Sequence, residues 1–208
     1  MSESIARRQP PGLLESFRFP VSTPQARKDL LVGGTVLMVL LPIGWVLNMG
    51  HRLDVVYRIY HDKPPYYQGF SPWLKTFLRG LKALTAILLY LSPAMLCGLG
   101  VSLGSHWLAV PGGLFFVLAV YILPGGMTYN AAFDDIRYLY RPDHALRRAL
   151  EGGRAYAWAW VIALLAISLS FVGLVGLGIG FFYTSVWAWM VVGYAFSRAL
   201  SLRTGATP

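Results

Sequence analysis

Few residues in this chain are of types and spacings that could do chemistry. Asp134-Asp135 is the kind of acid pair that opens a magnesium-diphosphate motif, but position 138, where a second acid would have to stand, is Tyr138. The pair then reads as counterions to nearby Arg137 and Arg141. The four histidines do not cluster: His51 and His106 sit at the ends of apolar stretches, His61 and His144 lie among charges, and no two have the i, i+4 spacing of a helical metal pair. A pigment or haem ligand is conceivable for His51 or His106, but a polar residue at a membrane boundary is the simpler reading. Gly176-Leu-Gly178-Ile-Gly180 looks like part of a dinucleotide fingerprint, yet it is flanked by apolar stretches and not by a strand and a helix. The single Cys97 permits no intrachain disulfide. With no Ser, His and Asp set, no phosphate loop and no ionisable residue within the apolar stretches, the expected protein is not an enzyme and needs no metal or cofactor.

The elements that hold these residues follow from the charges. Of 208 residues, 56% are hydrophobic and only 13% charged, against roughly 25% in a soluble domain, which excludes a soluble globular fold. Residues 30–50, 83–133 and 155–197 contain no Asp, Glu, Lys or Arg. A helical crossing takes about 20 residues, so these stretches hold one, two and two segments, at about 30–50, 83–102, 107–128, 156–174 and 180–198. The expected fold is an all-α integral membrane protein: a polar tail over 1–29, one helical membrane domain over 30–200, and a short tail over 201–208. Basic residues fall in the first tail, in 51–82, in 134–154 and at the C-terminus, and none falls in the turns near 103 and 177. Five crossings would strand the basic N-terminal tail outside. If the first segment instead dips in and returns, bending at Leu41-Pro42-Ile-Gly44, then every cation shares one side, with loops 51–82 and 134–154 in the cytoplasm. An echo of Gly33-Gly34, Leu41-Pro42 and Tyr57 to Tyr60 in Gly112-Gly113, Leu123-Pro124 and Tyr138 to Tyr140 suggests an internal repeat.

Two basic amphipathic helices border the apolar stretches. Ser71-Pro72 sets a helix start, after which Trp73, Leu74, Phe77, Leu78 and Leu81 take one face and Lys75, Arg79 and Lys82 the other. Residues 143–154 carry Arg147, Arg148 and Arg154 opposite Leu146 and Leu150. These six cations are candidate contacts for anionic lipid headgroups. Gly100 with Gly104, Gly176 with Gly180, and Ala159 with Ala163 are spaced for close helix approach. Trp158, Trp160, Trp187 and Trp189 read as interfacial belts.

The order of Phe17-Arg-Phe-Pro20, Gly33-Gly34, Leu41-Pro42-Ile-Gly44-Trp45, Tyr57-Arg58, Pro64-Pro65, Phe70-Ser-Pro-Trp73, Leu78-Arg-Gly80-Leu-Lys-Ala83 and Leu91-Ser-Pro93 resembles the prokaryotic membrane family called Domain of Unknown Function 4013. The likeness covers residues 17–100. It implies a helical bacterial or archaeal inner-membrane setting and no activity, cofactor or site residue. Together these features suggest a non-catalytic accessory or scaffold subunit that binds membrane lipid, another integral membrane protein or a second copy of itself, and no nucleic acid. The alternative is a small-solute channel or transporter with Asn48, Thr128 or Asn130 on a wet path.

Overall fold

The computed structural model describes residues 10–61, 63, 73–175 and 178–201. Every regular element among the described residues is helical. The helices are α1 (Leu13–Arg18), α2 (Pro24–Val39), α3 (Leu41–Tyr60), α4 (Trp73–Ser102), α5 (Ala109–Phe133), α6 (Arg137–Tyr140), α7 (Pro142–Ser170) and α8 (Ile179–Ser201). Four stretches are long and apolar enough to cross a membrane: Trp73–Ser102, His106–Phe133, Pro142–Val175 and Ile179–Ser201. The chain is a multi-pass, all-α membrane protein.

The first apolar segment is not one rod. Thr23 caps α2 by accepting the Ala26 N–H at 3.1 Å, and Pro24 follows at the first turn. The helix stops at Leu40 (φ −118°, ψ 47°), because Pro42 offers no N–H and its ring would crowd the preceding turn. α3 then folds back on α2. Asn48 ties the two helices, its Nδ2 donating to Gly33 O at 3.1 Å and to Gly44 O at 2.8 Å. The tip carries Val39, Leu40, Leu41 and Ile43, all exposed, so the hairpin ends in apolar side chains. Both arms lie on α8: Thr35 bonds the Tyr183 hydroxyl at 3.2 Å, and Ser197 donates to Val56 O at 3.2 Å. The proposed echo has no structural counterpart here, since Pro42 starts a helix while Pro124 lies inside the continuous α5.

Residues 11–19, within the stretch read as a polar tail, pack on α7 and α8. Trp158 Nε1 donates to Pro11 O at 3.0 Å, Trp187 Nε1 donates to Phe17 O at 3.3 Å, Phe19 stacks on Tyr194 at 4.6 Å between centroids, and the Tyr194 hydroxyl bonds Glu15. Counting charges hid this docking, because its anchors are aromatic. Trp158 and Trp187 thus serve the N-terminal segment as well as the protein surface.

Small residues set how closely the helices pack. Ala159, Ala163, Ala166, Ala188, Ala195 and Ala199 are almost fully buried around Tyr156 and Phe196, making the α7–α8 seam the core. α4 crosses α3 at Gly50 and Gly80, where a Cβ on either would overlap a backbone oxygen of the other helix. α7 breaks at Gly153 (φ 52°, ψ −134°), which separates the amphipathic arm 142–152 from the apolar remainder. The interfacial helix expected over 143–154 is therefore a distinct arm that ends at its glycine pair.

Candidate functional site

α4 packs on α3 and α5, whereas α7 packs on α5 and α8. Between these groups lies a cavity of about 380 Å³. α3 contributes Trp45, Arg52, Leu53 and Val56, α4 Ile87 and Leu91, α5 Leu123, Pro124, Met127 and Thr128, α7 Trp160 and Ile167, and α8 Trp189 and Phe196. The wall is apolar apart from Arg52 and Thr128. A smaller space of about 50 Å³ adjoins it and shares Trp45, Arg52, Ile87 and Trp189. Trp45 and Trp189 are 40% and 39% exposed, so the cavity wall reaches the protein surface at these two rings.

Arg52 is the one formal charge in this wall. Its guanidinium lies over the Trp189 ring at 4.8 Å and donates from one nitrogen to Met127 Sδ at 3.4 Å. Among the described residues no carboxylate pairs with it; Asp54, two residues on, is held by Arg79 at 2.6 Å and Arg58 at 3.6 Å. A guanidinium carries five N–H donors, a thioether is a weak acceptor, and an aromatic ring engages the cation's face and leaves the donor edge open. A cation so placed in apolar surroundings is costly, which makes Arg52 a candidate for a functional role.

The sequence reading passed over Arg52 as one more basic residue of the first loop. A signal was present. Met49, Arg52, Leu53 and Val56 have i, i+3, i+4, i+7 spacing, so the arginine shares a helix face with three apolar residues, all three of which are buried.

The six expected headgroup cations divide. Lys75, Lys82, Arg147 and Arg154 are exposed, Arg147 pairing with Glu151 at 2.9 Å. Arg79 is instead turned into the protein by Asp54, and Arg148 lies over the Tyr129 and Tyr138 rings at 4.6 and 5.6 Å while pairing with Glu151 at 2.6 Å. These two arginines join elements, because each has internal partners that a free headgroup contact would have to displace. Of the packing glycines, Gly180 packs against Gly173 in the α7–α8 turn and Gly100 lies beneath Leu108. Gly104 packs nothing: it has φ +97° with open space over its Cα, so it shapes the α4–α5 turn. Gly176 and the Ser71-Pro72 start lie outside the described residues.

The polar residues considered for a wet path are engaged locally: Asn48 with two backbone oxygens, and Asn130 with Asp135 O at 3.1 Å. Thr128 alone of the three lines the cavity. His61 Nε2 meets Ala132 O at 2.7 Å, His144 lies 3.7 Å from Asp143, His51 is buried beside Arg52 in sequence, and His106 is exposed. No family model, curated protein or solved structure matches the chain.

Asp135 accepts from Arg137 Nε at 3.1 Å and from its backbone N–H at 3.0 Å, and these bonds hold the carboxyl below the usual range. Arg141 pairs with Asp143 at 2.9 Å and not with the acid pair. Asp134 caps α5 in the left-handed region (φ 53°), a conformation Asn tolerates equally well. Asp134→Asn with Asp135→Asn is therefore expected to leave expression and the thermal midpoint in detergent unchanged within error. A marked loss of either would show that the pair does more than balance solvated arginines.

Proposed function

We propose that this protein is a non-catalytic membrane protein of the prokaryotic cytoplasmic membrane that holds a lipid between its helices. The observation that carries the reading is the cavity of about 380 Å³, walled by mostly apolar side chains from five helices and reaching the surface at Trp45 and Trp189. That volume lies in the range of pockets that enclose most of a small ligand. So apolar a wall suits a molecule from the bilayer better than a solute from water. Basic loops 51–82 and 134–154 face the cytoplasm in this reading, on the positive-inside rule, and the α2–α3 hairpin lets the N-terminal cations share that side. Lipid is the arm of the sequence-based expectation that the cavity supports; a partner protein would meet the exposed apolar outer faces.

The test is photo-crosslinking in membranes with a C18 chain bearing a mid-chain diazirine, followed by peptide mapping. Adducts are expected on α4, α5 and α7 at the cavity wall, reduced several-fold by Leu91→Trp or by Val120→Trp, at a further α5 residue of the wall, either of which would fill it. Adducts confined to outward-facing residues, unaffected by these substitutions, would defeat the reading.

A further inference from the structure

We infer that the lipid is anionic and that Arg52 is its headgroup anchor, a carboxylate or phosphate oxygen accepting the guanidinium donors while the chain fills the cavity. This rests on the lipid-binding reading above and names the class of lipid. Trp189 covers the face of the guanidinium and Met127 Sδ takes one of its five donors weakly, and Arg52 lines a cavity whose other polar side chain, apart from tryptophan indoles, is Thr128. Among the described residues no carboxylate pairs with Arg52, and the nearest acid in sequence, Asp54, is already shared by Arg58 and Arg79. A neutral lipid would fit the space but leave the cation as it is; an anion satisfies charge and donors together, which is how such a site discriminates.

The placement of the charge agrees. Arg52 is nearer the basic end of the hairpin than its tip, eight residues before α3 ends at Tyr60. A headgroup there lies toward the basic end of the bundle, and its chain points toward Leu91. A second groove of about 390 Å³ between α4 and α5 shares Leu91 with the cavity and passes Gly98 and Gly113, both with open space over their Cα atoms.

The experiment uses the full chain in nanodiscs of neutral phosphatidylcholine, with the photoreactive C18 chain as reporter and unlabelled lipids as competitors. Stearate should displace the reporter at about 10- to 100-fold lower mole fraction than stearyl alcohol, the range expected for a charge-assisted hydrogen bond, if the source is a free fatty acid. If the source is a phospholipid, dioleoylphosphatidate should outcompete dioleoylglycerol by a similar factor. In Arg52→Gln both preferences should collapse to within about twofold, with the thermal midpoint reported alongside to show that the variant is folded. Equal competition by charged and neutral lipids in the wild type would overturn the anchor while leaving lipid binding intact. Displacement by inorganic phosphate as potent as by either anionic lipid would assign the site to a soluble anion and also overturn it. Absence of any cavity adduct would instead remove the lipid-binding reading itself.

Discussion

Gly50→Ala and Gly80→Ala are each expected to lower the stability of the folded protein by about 1–3 kcal/mol, although alanine is the better helix former. At this crossing a Cβ on Gly50 would overlap the Thr76 carbonyl oxygen and one on Gly80 the Val46 carbonyl oxygen. Backbone cannot rotate aside as a side chain can, so the helices would have to separate. Separation would reach the Arg79–Asp54 pair and the contacts of Met49 and Leu53 with Ala83 and Ala86 around it. Because the two glycines touch the same crossing, the double variant should be non-additive. Gly98→Ala and Gly113→Ala provide the control: a Cβ at either meets nothing within 4 Å, so the same exchange should be neutral or slightly stabilising there. Denaturation in mixed detergent micelles measures all five variants. Equal midpoints for the crossing and control glycines would show that α3 and α4 are not in backbone contact.

Gly153→Ala should cost a similar amount for a different reason. At φ 52° and ψ −134° the clash is within the residue, and the strain of forcing an L-residue there is about 1–3 kcal/mol. The chain can relieve it by continuing the helix straight through, which would swing arm 142–152 off α5. Arg148 would then leave Tyr129 and Tyr138, and Ala145 and Ala149 would leave Gly125 and Gly126. Lower thermal stability is the expected outcome, and a variant as stable as wild type would mean that the bend does not need glycine.

The membrane character, the presence of the four apolar spans and the break near Pro42 were legible in the sequence, whereas two of the spanning helices begin at Trp73 and Pro142, well before the charge-free stretches do. Hydrocarbon tolerates neither charges nor unpaired backbone, so the absence of Asp, Glu, Lys and Arg from 83–133 and 155–197 leaves helices as the solution. Pro42 marks a place where a helix can end, and α2 does stop before it, although Pro93 and Pro124 lie inside continuous helices. The glycine pair of α7 was recognisable as a weak point, though not as a left-handed bend.

What tertiary structure decided is the fate of individual polar and small residues. Arg52, Arg79 and Arg148 look alike as letters in basic loops. One faces a cavity over Trp189, one clasps Asp54 across two helices and one is stacked on two tyrosines, because each outcome depends on a residue 25 or more positions away or on a neighbouring helix. The same holds for Gly104 and Gly80. Spacing suggested that the first packs, yet it faces open space, and the second, placed on a helix read as interfacial, lies at the closest approach in the α3–α4 crossing. Sequence alone determined which segments leave water, since that is a local sum over transfer free energies. The site arises only when five helices converge around one unpaired cation, and no local sum contains that convergence.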